Sequence, residues 1–175
     1  MTGLENKMYL DIESLGNAEG FLDDILENID DIKLFEGFNE DELKVLCHFM
    51  QCYAAPREYT LLKEGGDGAF LLLILTGSVN VVKAVAGHGV KHIAEVGAGA
   101  SLGELSLIDG RPRFATCITN VPTDFAVLTR NSLNELLIHY PRLASKFLLV
   151  LLQIMTVRMR ETTDRFLPVA YSAAP

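Results

Sequence analysis

Ser101-Leu102-Gly103-Glu104-Leu105-Ser106-Leu107-Ile108-Asp109-Gly110-Arg111-Pro112-Arg113-Phe114-Ala115-Thr116 is the stretch on which the reading of this chain turns. It sets a carboxylate, Glu104, nine positions before a guanidinium, Arg113, with small residues between them. If Gly103 ends a loop and Glu104–Ile108 forms a short helical turn, the first amides of that turn, near Leu105 and Ser106, have no helical partners. Free amides and the helix dipole together favour an anion. Arg113 can add a bidentate, charge-assisted pair to phosphate oxygens, which a lysine cannot copy. Glu104 repels an anion, so it is useful only as an acceptor for a donor such as a hydroxyl. The stretch suits a small ligand with one phosphate charge and one hydroxyl. Arg111 follows Asp109-Gly110 in a turn and reads as exposed.

Outward from this stretch, glycine recurs at 65, 66, 68, 77, 87, 89, 97, 99, 103 and 110 and cuts the chain into short apolar, β-branched pieces. Strands are predicted at 69–76, 78–85, 90–96, 115–119 and 124–128. Turns at roughly ten-residue spacing point to an all-β barrel or sandwich rather than βαβ units. Gly87-His88-Gly89 reads as a hairpin tip. Helical spacing appears on both sides of this β region. Apolar residues at 21, 22, 25, 26, 29 and 32 predict one helix. Asn39-x-x-Glu42 is a capping box for a second, which ends before Pro56. Leu133, Leu136 and Leu137 mark a third, and a long fourth is predicted from Pro141 to about Arg165. The run Phe147–Val157 is apolar on several sides, so one face can pack on the barrel and another is offered to the N-terminal helices or to a second copy in a homodimer. The expected organisation is an arm over 1–19, one domain over 20–166 with flanking helices, and a tail over 167–175.

Composition bounds the function. The chain has 175 residues and is nearly half apolar, enough for one packed core. Its net charge of −8 argues against a nucleic-acid partner. Cys47, Cys52 and Cys117 form no Cys-x-x-Cys pair and read as reduced thiols. The N-terminus lacks a signal pattern, and no apolar run is long enough to span a bilayer. A cytoplasmic protein with no membrane partner is expected.

A 3′,5′-cyclic nucleotide carries one phosphate charge and one free ribose hydroxyl. Gly103-Glu104-Leu105, Pro112-Arg113 and Ala115-Thr116 resemble the phosphate-binding cassette of the cyclic-nucleotide-binding domain family, as found in protein kinase A regulatory subunits. Leu75-Thr76-Gly77-Ser78-Val79 resembles the family's strand–turn–strand signature, and the likeness runs from about Ile32 to Phe166. The resemblance implies a mainly β, jelly-roll barrel with N-terminal helices and a long C-terminal helix. It implies that Glu104 takes the ribose 2′-hydroxyl and that Arg113, with the amides of Phe114 and Ala115, holds the cyclic phosphate. Two positions depart from the pattern: Leu102 stands where phenylalanine is frequent, and Phe114 where members preferring cGMP commonly carry threonine. The loss of that hydroxyl favours cAMP over cGMP. Arg158-Met159-Arg160-Glu161-Thr162-Thr163 resembles the equivalent helix end in the bacterial catabolite activator protein, which places Thr162 and Thr163 against the adenine amino group.

Four rival readings stand beside this one. Glu104 and Arg113 can instead be a structural ion pair in a ligand-free interaction or scaffold domain. Gly99-Ala100-Ser101-Leu102-Gly103 satisfies G-x-S-x-G, with Asp124 and His139 in hydrolase order, but that motif needs a strand–turn–helix corner in a parallel sheet. His88 and His92 have no carboxylate or thiol partner nearby in sequence, so no metal is expected. The tail over 167–175 is too short for a helix-turn-helix. The expectation is therefore a stand-alone sensor, not an enzyme, acting in trans on a protein partner through movement of its C-terminal helices.

Overall fold

A computed structural model of the protein describes residues 9–172, with side chains as far as Asp164. Among the described residues nine strands build two antiparallel sheets. Five of them are β1 (Glu13–Asn17), β2 (Gln51–Ala55), β9 (Thr123–Thr129), β4 (Phe70–Ile74) and β7 (Ser101–Leu102), hydrogen-bonded side by side in that order. The second sheet runs β3 (Thr60–Leu62), β8 (Thr116–Thr119), β5 (Ser78–Val85), β6 (Gly89–Gly97). Together with the flanking helices this is the jelly-roll expected from the sequence. The β5–β6 hairpin turns at Gly87, whose φ of +75° a residue with a side chain rarely adopts.

Strand β4 lies at the centre of the molecule, and all five of its residues are buried. Alternate side chains point to opposite faces of a strand, so its unbroken apolar run feeds two cores. Leu71 and Leu73 join Phe35, Leu46, Leu128, Leu136 and Phe147 beneath the helices. Phe70, Leu72 and Ile74 join Val79, Phe125 and Val127 between the sheets.

The helices are α1 (Leu22–Glu27), α2 (Glu40–His48), α3 (Glu104–Asp109), α4 (Arg130–His139) and α5 (Pro141–Ser172). The capping box at Asn39 is present in both directions: the Asn39 side chain accepts from the Glu42 amide, and the Glu42 carboxylate accepts from the Asn39 amide. A single helix over 21–32 does not form. The segment divides into 3-10 turns at 18–21, 29–31 and 33–35 around α1. The Asn28 side chain donates to Asp24 O at 2.8 Å and ends the helix there, a local bond that competes with helix continuation.

Two expectations about the chain ends are corrected. Residues 1–8 of the expected arm lie outside the described residues, but from Tyr9 onward the segment is built into the fold. β1 pairs with β2, Ala18 is buried, and Tyr9 enters the core between the sheets. At the other end α5 continues past Arg165 to Ser172. The run 147–157 also divides. Phe147, Val150 and Leu151 are buried in the helical core, and Phe147→Ala there should cost about 3–5 kcal/mol. Leu149, Leu152 and Val157 face outward. No described helix is long and apolar enough to cross a membrane.

Candidate functional site

The short helix α3 leaves β7 at Gly103, which has φ +83° and no side-chain cap. Glycine is required there by space as well as by dihedral: a Cβ would lie 2.5 Å from Arg113 Nη1 and 3.1 Å from Phe70 O. On the opposite side a Cβ on Gly68 would lie 2.5 Å from the Phe70 ring. Between these glycines sits Arg113, only 4% exposed. Its Nη1 donates to Phe70 O at 2.8 Å and to Gly103 O at 3.0 Å, and its Cζ lies 4.0 Å from the Phe70 ring centroid. Its backbone is clamped as well, Arg113 N donating to Gly66 O and Arg113 O accepting from Gly65 N, both at 2.9 Å.

Nε and Nη2 of Arg113 are buried without a hydrogen-bond partner among the described residues. Leaving such donors unpaired costs about 1–3 kcal/mol each, more when the group is charged. Native folds rarely retain such groups without a use for them. Burial pulls the guanidinium below its usual pKa, although Tyr9, Cys117 and Glu104 act the other way; a guanidinium remains charged regardless.

Glu104, 5% exposed, stands at the start of α3. Its Oε1 accepts from Ser101 Oγ at 2.5 Å and from Arg158 Nη1, on α5, at 2.7 Å. Arg158 Nη2 adds a bond to Ser101 O at 2.8 Å. Glu104 therefore pairs with Arg158 rather than with Arg113, which corrects the structural ion pair considered from sequence. The Ser101 hydroxyl donates its hydrogen bond to the Glu104 carboxylate, and β7 runs antiparallel to β4, so the corner that a G-x-S-x-G nucleophile needs does not form.

Arg130 is a residue that sequence reasoning missed. Its Nε and Nη2 donate to Leu107 O at 2.8 and 2.6 Å, and Nη2 also to Ser106 O at 3.1 Å. This cation at the C-terminal end of α3 complements the carbonyls exposed there. Nothing local in the sequence marks it, because the contact spans the whole of β8 and β9.

The other expected site residues fall around two adjoining cavities. One, about 160 Å³, is lined by Gly103, Glu104, Ser106, Arg113, Ala115 and Arg158 among others. The second, about 600 Å³, opens between α3 and α5 and shares Glu104, Leu105 and Arg158 with the first. Thr162 and Thr163 line this larger groove, but their hydroxyls donate to the helix carbonyls of Arg158 and Met159 at 2.7 and 2.9 Å. The Phe114 ring turns outward, 60% exposed, with Lys83 Nζ 3.9 Å from its centroid, and the Phe114 carbonyl accepts from the same ammonium. Arg111 is exposed, as its place in a turn predicts. Cys117 borders the smaller cavity, and burial pushes its thiol up to about 12, as it does for Cys47 and Cys52.

Two guanidiniums therefore meet one carboxylate at a small cavity that is otherwise mostly apolar and adjoins a larger apolar groove. The surplus is one positive charge, matched to a ligand with one anionic group and a flat apolar body.

Comparison with known proteins agrees with this geometry. Residues 54–140 match the family described as "Cyclic nucleotide-binding domain". A cyclic nucleotide-binding domain from Methylobacillus flagellatus KT, known as a crystal structure, is 52% identical; the match covers 93% of this chain and 91% of that one, with a TM-score of 0.83. The regulatory domain of Toxoplasma gondii PKA, crystallised with cAMP, is 28% identical over 67% of this chain and 44% of its own, with a TM-score of 0.59. Among curated proteins, the CRP-like cAMP-activated global transcriptional regulator of Mycobacterium tuberculosis is 23% identical over 142 residues. That match covers 81% of this chain and 62% of the regulator.

Proposed function

Because this chain belongs to the cyclic nucleotide-binding domain family, we propose that it is a cAMP-preferring sensor that signals to a protein partner in trans through α5. The observation that carries the reading is Arg113: a buried cation with two unspent donor atoms, lining the same cavity of about 160 Å³ as the Glu104 carboxylate. In this reading Nε and Nη2 take the cyclic phosphate, with the amides of Phe114 and Ala115. The free capacity of the Glu104 carboxylate accepts the ribose hydroxyl. The base extends into the groove beneath α5, where Thr162 and Thr163 meet it after giving up their bonds to the helix.

Preference for cAMP is supported by Phe114, which offers no side-chain hydroxyl to a guanine. The cAMP-bound and cAMP-activated relatives point the same way. Signalling through α5 is supported by Arg158, because the carboxylate that would receive the sugar is the one that holds this helix. A ligand shifts α5 only by as much as its affinity differs between the two helix positions. The role is one of binding, with the Ser101 hydroxyl committed to Glu104.

Isothermal titration with cAMP and cGMP tests this. Binding of cAMP tighter than cGMP is expected; no heat from either at about 100 μM ligand would leave a ligand-free scaffold domain as the function.

We also propose a homodimer through an exposed face of α5 that also borders the larger groove, so that the seam and the base would adjoin. Leu149, Leu152, Thr156, Met159 and Thr163 follow alternating three- and four-residue steps, the spacing of a coiled-coil seam. Leu149, Leu152 and Met159 are each about three-fifths exposed. Sedimentation equilibrium should show a dimer at micromolar concentration, and a monomer throughout would remove the seam from the account.

A further inference from the structure

Tyr9 precedes β1, far in sequence from every residue of the pocket, yet it is 8% exposed and sits in the core between the two sheets. Its hydroxyl donates to Leu61 O on β3 at 2.7 Å. Its ring meets Tyr53 on β2 and Phe125 on β9, each at 5.2 Å between centroids and edge-to-face. It also meets Phe70 on β4 edge-on at 6.2 Å. One side chain thus touches both halves of the barrel. A second anchor lies two residues further on, where Tyr59 Oη donates to Asp11 Oδ1 at 2.8 Å.

Phe70 is the residue on which Arg113 rests. The guanidinium lies over the Phe70 ring and donates to the Phe70 carbonyl. We propose that Tyr9 is a positioning residue for Arg113, acting through the Phe70 ring, so that docking of the N-terminal segment and binding of an anionic nucleotide are coupled. The inference rests on the reading of Arg113 as the phosphate-binding group.

The physical ground is packing. Gly68 and Gly103 bring backbone against two sides of the Phe70–Arg113 pair and leave no room for a side chain. Motion of the pair is then limited by what packs against the Phe70 ring, and Tyr9 meets that ring edge-to-face. An interior packed this closely does not deform continuously, so removing the Tyr9 ring beside Phe70 opens a space into which Phe70 can tip. The guanidinium loses its shelf and its aim. The Tyr9 phenol is held neutral by burial, with the charge of Arg113 opposing that effect, so it contributes shape and one hydrogen bond rather than charge. Coupling of this kind is reciprocal: if the docked segment favours the ligand, the ligand favours the docked segment by the same factor.

The test uses the full chain with Tyr9→Ala and Tyr9→Phe, each shown to be folded by thermal melting; Tyr9→Leu replaces Tyr9→Ala should the latter not fold. In the free protein, the Nε–H resonance of Arg113, assigned by its loss in Arg113→Ala, should move in Tyr9→Ala and stay in place in Tyr9→Phe. Titration with cAMP should show Tyr9→Ala about tenfold weaker or more, the range usual for loss of a supporting contact behind a binding group. Tyr9→Phe should stay near wild type. In an Arg113→Ala background the further effect of Tyr9→Ala should fall below about twofold, because the two changes act through one interaction. An Arg113 resonance unmoved in folded Tyr9→Ala, or an affinity loss that persists undiminished without Arg113, overturns the proposal. If the wild type binds no cyclic nucleotide, the functional reading fails by itself, and the Arg113 resonance still decides whether Tyr9 positions the guanidinium.

Discussion

The two ends of the small cavity hold opposite charges in opposite states. At one end Arg113 is almost wholly buried, fixed by two carbonyls and a ring, and left with two donors unspent. At the other end Glu104 is equally buried, but Oε1 is occupied by Ser101 and by an arginine from the last helix. Everything that grips Arg113 belongs to the barrel. What grips Glu104 belongs in part to α5, from a side chain that is 43% exposed. The Arg113 end, proposed for the phosphate, is therefore held by the barrel alone, and the Glu104 end, proposed for the sugar, is shared with α5. A site divided in this way can bind through one end and report through the other.

Changes at the fixed end should give the largest effect. Arg113→Ala should weaken cAMP binding by about 2–5 kcal/mol in titration calorimetry, since a buried phosphate loses its charged partner. A loss below about 1 kcal/mol would place the phosphate elsewhere and dissolve the contrast between the ends. The sugar end should cost less. A 2′-deoxy cyclic nucleotide should bind about 1.5–3 kcal/mol more weakly, the range for a hydrogen bond to a charged group, and that penalty should shrink in Glu104→Gln. An undiminished penalty in that variant would assign the hydroxyl to another acceptor.

Arg158→Ala examines the α5 side directly. A half-exposed ion pair is worth about 1 kcal/mol or less. Backbone amides of 150–164 should then exchange up to about fivefold faster in the free protein. Exchange equal to wild type would mean that the latch does not hold α5. Arg111→Ala should change binding and stability by no more than about 0.5 kcal/mol, because this exposed neighbour touches neither end.

How much the sequence could disclose depends on the range of the interactions. Asn39 and Glu42 are three residues apart and satisfy each other, so the start of α2 can be read directly. β5 spans 78–85, as its flanking glycines predict. The turn at Glu104 and the exposure of Arg111 also rest on neighbours within a few residues. By contrast, β1 is a five-residue edge strand whose residues are mostly exposed, so it carries little apolar alternation. Its pairing with β2 is decided more than thirty residues away. Arg158 is visible in the sequence only as part of a helix end that resembles another protein's, and its partner Glu104 lies 54 positions earlier. The partition of 147–157 into a buried and an outward face depends on where the barrel stands. A helical period announces a helix without saying which side is covered.

The three cysteines have a practical consequence. Each is buried with its thiol pushed up to about 12, so very little thiolate exists at neutral pH, and thiolate is the form that reacts with alkylating probes. The native chain is thus a nearly silent background for site-directed labelling. A spectroscopic reporter attached through Arg160→Cys, an exposed position on α5 outside both the groove lining and the seam, would be taken up selectively without first removing any natural cysteine. The mobility of that single reporter, with and without nucleotide, can then be followed on an otherwise unaltered interior.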